Sequence, residues 1–379
     1  MRSLYFLTLA GMFLLNACSS PKNQFEKGNY EKAVLLSIKK LRKKPSNTKQ
    51  QAILKAAYAY ANQVSEQKII QFQQQTDRFK WDNVITQYQQ MQQLYTELLQ
   101  CPGCLSIVTA VDYQQQLNEA LAQGAEAYVL AGKAALAIEQ KEKAREAYRY
   151  FRKAKSYQDN YAGIDEALQK AQSLGTEIVG VSAIPVASKG LELNAAFFQQ
   201  QLLQLLNQLN YRFASFVSLE ALQAEGLYPD QVVDLSFDSY TIGQTFLKET
   251  REIVVRDSVH IGEIVDSLGT KTKVYGKVEA ELQHFEKTIE SGGLLNIAIV
   301  QPTTQQVLFQ QKLPSTFIWT NDWIRYQGDK RALTERELNL AKNKELLPPP
   351  PQELFYAFTQ PLFDQTAGIL RQRYRYLKK

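Results

Sequence analysis

The hydrophobic pattern changes its period once along these 379 residues, and that change restricts the chain to two different kinds of core. From Asn23 to about Ser173 the residues are mostly helix formers, with few β-branched runs, which predicts an all-α segment. Beyond Gly175 the pattern is mixed. Residues 178–186 read as a buried strand, Phe198, Leu202, Leu205 and Leu209 lie at helical spacing, and residues 211–217 read as a second strand before a short helix opening at Ser218. That is a β-α-β start. In residues 274–282 apolar or small side chains alternate with polar ones, as in a strand with one buried face. Residues 294–300 and 307–313 predict an antiparallel hairpin across a Gln301-Pro302-Thr303-Thr304-Gln305 turn. The expected class is therefore α+β in two domains: an all-α domain over 25–174, and an α/β domain with a mixed sheet over 176–379. At 45% hydrophobic and 22% charged residues, the chain can fill both cores. Near the end, Pro348-Pro349-Pro350-Pro351 reads as a stiff polyproline spacer over 348–351. A terminal amphipathic helix follows, marked by Leu354, Phe355, Phe358, Leu362 and Phe363, and Pro361 is expected to kink or restart it.

The N-terminus has a positive residue, Arg2, an apolar run over 4–15, and then Leu15-Asn16-Ala17-Cys18. This is the layout of a secretory signal, shorter than the ~20 apolar residues of a spanning helix. Leu-Asn-Ala-Cys resembles the lipobox of bacterial lipoproteins. The resemblance implies a signal peptide over 1–17, lipidation at Cys18 and a lipidated tether over 18–24, where Ser19, Ser20 and Pro21 are expected to break any helix. Several acyl chains on one cysteine would hold the chain stably on a membrane. In lipoproteins of enterobacterial type an Asp after the cysteine favours the inner membrane; Ser19 in that place implies the outer membrane. Lys22 and Asn23, in place of acidic residues, favour its periplasmic face. A net charge of +6 over this length is mild, and no nucleic-acid partner is expected.

Apart from Cys18, the cysteines are Cys101 and Cys104, in Cys101-Pro102-Gly103-Cys104. A redox CxxC lies at a helix N-terminus after a strand, whereas this one follows a long helical pattern. Zinc needs further ligands, and the two histidines, His260 and His284, are far away in strand-like sequence. A structural disulfide clipping the loop is the leading reading, with redox and metal roles as alternatives.

Gly28, Tyr30, Ala33 and Pro45 have the spacing of the second helix of a tetratricopeptide repeat, and Leu54 and Tyr58 fit the first helix of the next unit. A looser match places Ala147, Phe151 and Ala154 at the same positions, with Asp159 where the family has the terminal proline, and in the first helix that carries Leu54 and Tyr58, Lys55 departs from the family's Gly or Ala. The segment resembles a degenerate tetratricopeptide-like helical-repeat domain. The resemblance implies small residues where paired helices pack, a proline stop, and a groove that holds a protein partner. The aromatic stripe Tyr88, Tyr95, Tyr148, Phe151 and Tyr157 also fits plain packing between helices.

Tyr275, Gly276, Val278 and the hairpin from Asn296-Ile297-Ala298-Ile299-Val300 to Val307 resemble the α/β domain of curli-secretion-channel and cell-wall-synthase-activator lipoproteins over residues 179–376. Residues 250–269 and the Trp319-Thr320-Asn321-Asp322-Trp323 segment with Gly328-Asp329 have no counterpart in that resemblance. No Ser-His-carboxylate arrangement, nucleophile elbow or phosphate-cradling loop is legible. Asp322 and Asp329 in polar surroundings fit a surface loop better than a cation site. The expected function is that of a non-catalytic envelope lipoprotein, without cofactor, metal or catalytic residues. It would scaffold a protein complex in secretion, outer-membrane assembly or cell-wall growth. The alternatives are a polysaccharide- or cell-wall-acting enzyme and an activator of a cell-wall synthase.

Overall fold

The computed structural model describes residues 20–378, and the expected signal peptide over 1–17 and lipidation site at Cys18 lie outside them. The chain divides at Gly175/Thr176 into two compact units, the first helical and the second built on a mixed sheet. The helical unit runs α1 (Pro21–Glu26), α2 (Tyr30–Lys43), α3 (Thr48–Gln73), α4 (Trp81–Leu99), α5 (Pro102–Leu105), α6 (Gln114–Leu136), α7 (Lys141–Tyr157) and α8 (Ile164–Gly175). Apart from the single-turn α5, each helix packs on the one before it, α6 on α4.

The expected tether over 18–24 is corrected from Ser20 onward. Ser20 caps α1, its Oγ accepting the Asn23 N–H at 3.1 Å, and Pro21 occupies the first turn with its side chain buried. A serine followed by proline starts a helix here because the hydroxyl satisfies one orphan N–H and proline has none to satisfy. Gly28, at φ +75°, then turns the chain into α2. That helix buries Ala33, Val34, Ser37, Ile38 and Leu41, spaced to line one face. Farther on, the Asp82 carboxylate in the first turn of α4 accepts the Tyr128 hydroxyl of α6 at 2.8 Å and the Tyr157 hydroxyl of α7 at 2.7 Å. One side chain thus ties three helices. Burial first and Asp82 second raise the pKa of both phenols, so they stay protonated donors.

The second unit runs β1 (Glu177–Val181), α9 (Glu192–Gln208), β2 (Ala214–Ser218), α10 (Leu219–Ala224), β3 (Gln231–Val265), β4 (Lys271–Gln301), β5 (Gln306–Gly328), α11 (Glu335–Leu340) and α12 (Pro351–Arg373). The sheet order is β2-β1-β3-β4-β5; β1 pairs parallel with β2 and β3, and β3/β4 and β4/β5 are antiparallel. The β-α-β start is present, with Ser218 capping α10 at the Ala221 N–H. The turn after β4 is present too, with Val300 opposite Val307. Strand lengths differ from those expected. Residues 274–282 and 294–300 belong to one strand, β4, which runs through Gly292 and Gly293. A side chain is excluded at Gly292, where a Cβ would meet the Ser315 carbonyl oxygen at 2.7 Å, and is crowded at Gly293, where it would meet the Ser239 carbonyl oxygen at 3.0 Å.

The spacer over 348–351 is one residue shorter than expected, because Pro351 opens α12 and the extended backbone ends at Pro350. Pro361 does not restart that helix. It sits on the exposed side, while Leu354, Phe355, Phe358, Leu362 and Leu370 bury the opposite face. α12 lies on β3, β4 and β5, α9 lies on β2, and the two helices meet where Phe198 packs edge-on against Phe363.

Candidate interaction surface

The third strand of the antiparallel set ends at Gly328, opposite Ala280. Past that point residues 255–265 of β3 and 271–279 of β4 pair only with each other. Eleven residues at ~3.3 Å each make a two-stranded arm on the order of 35 Å long. Its turn is closed by Asp266, whose Oδ1 accepts the Leu268 N–H at 3.0 Å and the Thr270 N–H at 2.8 Å, with Gly269 at φ +87°. These N–H bonds, Thr270 first, hold the Asp266 carboxyl below its ordinary range.

Directly opposed residues share a face of the ribbon. Val259 lies opposite Gly276, Gly262 opposite Val274 and Ile264 opposite Thr272. Ile261, the extra residue of a bulge, lies over Gly276, where a Cβ would approach its Cδ1 to 2.5 Å. From Val259 to the turn this face has no charged side chain. The other face holds His260 with Tyr275 and Glu263 with Lys273, and Lys271 Nζ stands 3.4 Å from Glu263 Oε2. Ile261 is 50% exposed, Ile264 64% and Leu268 90%. At its base the ribbon is fixed. Val254 and Val259 pack in a core with Val278, Ala280, Leu282, Ile324, Leu333 and Leu338, and the Arg331 guanidinium donates to the His260 carbonyl. Asp329 holds Arg331 in turn, and that contact keeps the Asp329 carboxyl down at about 2. The arm therefore projects from a braced base with an apolar face that, beyond Val259, stands exposed at Ile261, Ile264 and Leu268.

The residues singled out from sequence are spread over both units. Cys101 and Cys104 are joined by a disulfide across a Cα separation of 5.2 Å, both buried beside Leu94 and Leu98. Ala33, Ala147, Phe151 and Ala154 are buried at helix contacts and Tyr30 is half-buried. Gly28 and Pro45 need correction as packing residues. A Cβ on Gly28 would meet nothing within 4 Å, so its part is the left-handed backbone, and Pro45 is exposed in the turn after α2. The close approaches belong instead to Gly124 and Gly132 of α6, which sequence reasoning missed. A Cβ on Gly132 would lie 2.4 Å from Phe151 Cε1, and one on Gly124 2.9 Å from Ile85 Cδ1.

His284 Nε2 bonds to Asp322, and among the described residues no hydroxyl or thiol bonds to that ring. Asp329 is taken by Arg331, and no cluster of three or more His, Cys, Asp or Glu suited to a metal occurs among the described residues. No described helix is long and apolar enough to cross a membrane. No protein-family model matches the chain, and no curated protein matches it either.

Proposed function

We propose that this chain is a non-catalytic envelope lipoprotein, anchored by lipid on Cys18 to the periplasmic face of the outer membrane, that scaffolds a complex of envelope proteins. The observation that carries the reading is the projecting ribbon. A monomer rarely exposes a long uncharged β face without a partner for it, and the exposed edges of a two-stranded arm are ready to pair with another chain. The helical unit adds a second kind of partner surface. Its helix pairs α2/α3 and α6/α7, with Ala33, Ala147 and Ala154 at the contacts, fit a tetratricopeptide-like array that holds a protein segment. Secretion, outer-membrane assembly and cell-wall growth are the processes such a scaffold would serve.

The test is affinity purification of the native protein from detergent-solubilised membranes after mild crosslinking, with mass spectrometry of what co-purifies. Cys18→Ala and the ribbon variant Ile264→Lys/Leu268→Lys are run beside it. Both ribbon positions are exposed, so that variant keeps the fold. Stoichiometric envelope proteins that disappear with the ribbon variant are the expected result. A protein that comes out alone would end the scaffold reading and direct attention to polysaccharide binding and cleavage by the α/β unit.

A further inference from the structure

Charge is distributed unevenly in the helical unit. Residues 20–68, covering α1, α2 and most of α3, hold eleven Lys or Arg against three Glu, a net +8 that exceeds the +6 of the whole chain. Among the described residues only two of these eleven meet a carboxylate, Lys22 with Glu26 and Arg42 with Glu97. On α2, about 21 Å long, Lys32, Lys39 and Lys43 are spaced by seven and four residues and therefore share one face, and all three are exposed. Lys40 and Lys44, also exposed, flank that stripe.

The start of α1 decides what those lysines meet. Only Ser19 and Ser20 separate Cys18 from Pro21, the first helical residue. Three residue steps reach about 10 Å at full extension, close to the Debye length of roughly 8 Å in physiological salt. A chain anchored at Cys18 thus has no long leash, and the start of α1 is held about a Debye length from the bilayer. Phe25, Tyr30 and Tyr60 cluster at this same end with ring centroids 5.2 to 5.7 Å apart, and Tyr60 is 47% exposed. Aromatic side chains of this kind favour the headgroup layer.

We infer that α1 and the Lys32-Lys39-Lys43 face of α2 form a membrane-docking surface for anionic phospholipid headgroups, which lays the helical unit against the bilayer. The inference rests on the reading of Cys18 as the anchor for its geometry, whereas the binding itself belongs to the folded unit. Every described element lies at Ser20 or beyond, so the test uses a chain starting at Ser19, without signal or lipid.

That lipid-free chain is tested by flotation with vesicles of phosphatidylcholine alone or mixed with phosphatidylglycerol. It should bind only the mixed vesicles and come off in high salt. Near an anionic surface each lysine is worth about five-fold in binding, so Lys32→Gln/Lys39→Gln/Lys43→Gln should weaken it by about 100-fold. Lys271→Gln/Lys273→Gln/Lys277→Gln on the ribbon should leave it unchanged. Equal binding to both vesicle types, or an equal loss in both triple variants, overturns the inference. So does capture of an acidic protein by the lysine face while vesicles are ignored. The anchor is read separately, from the mass of the N-terminal peptide isolated from cells. An unacylated Cys18 would remove the scaffold's anchor without touching the vesicle result.

Discussion

Replacing Gly132 by Ala adds one methyl group, and the structure sets the sign of its effect. The new Cβ would stand 2.4 Å from Phe151 Cε1 and 2.8 Å from Cδ1 and Cζ, about 1 Å inside ordinary contact. Phe151 is 1% exposed, packed with Tyr128, Val129, Ala147 and Ala154, so its ring has no free direction in which to retreat. Overpacking of this kind costs about 1–3 kcal/mol, and the better helix propensity of alanine returns at most about 1 kcal/mol. The net loss is about 1–2 kcal/mol, a fall of roughly 3–6 °C in the melting of a helical unit of this size. Gly368 is the control. It lies exposed in α12, where an added Cβ would meet nothing within 4 Å, so Gly368→Ala should stabilise its unit by about 0.5–1 kcal/mol through propensity alone. The assay is urea unfolding followed by circular dichroism, with hydrogen exchange to assign each transition to its unit. The decisive third variant is Gly132→Ala/Phe151→Leu, in which the smaller side chain should remove most of the penalty that alanine adds. If Gly132→Ala behaves like Gly368→Ala, or its cost is the same with leucine at 151, the close approach of α6 and α7 is not what excludes a side chain there.

Two further outcomes are expected. Asp82→Ala leaves the Tyr128 and Tyr157 hydroxyls without their shared acceptor and should cost about 2–4 kcal/mol; Asp82→Asn should recover part of it, and urea midpoints compare the two. At the ribbon base the Asp329 carboxyl is depressed to about 2 by Arg331, so its folded-state contribution is complete above the unfolded value near 4 and disappears as pH falls through about 2. Carboxyl NMR of Arg331→Gln should show the Asp329 midpoint rising toward the ordinary carboxylate range, and an unmoved midpoint would remove Arg331 as the cause.

Local pattern made much of the second unit legible. The β1-α9-β2 start and the β4/β5 turn each lie within a short stretch whose apolar spacing matches the element formed. The ribbon was only half legible for a specific reason. Its β4 arm alternates cleanly, but its β3 arm has register shifts between Arg256 and Val259 and between His260 and Gly262, which break the two-residue period, so that the sequence around His260 reads as strand-like without giving the strand's bounds. The usable signal was the Asp266-Ser267-Leu268-Gly269 turn just ahead of the alternating Lys271 arm. The basic N-terminal helices were hidden differently, because averaging charge over the whole chain gives a mild +6 and conceals a local +8.

By itself the sequence determined where helical periodicity gives way to strand alternation, and with it the two units and their classes, because those depend on which side chains recur along a few turns or strand residues. Tertiary structure alone decided the rest: that α12 runs on through Pro361, that Gly132 has no room for a methyl group, and that two strands continue as an arm beyond the third. Each of these depends on what stands opposite a residue in space, a burial, an exposed face, a ring or a missing neighbour, and residues far apart in the chain supply it.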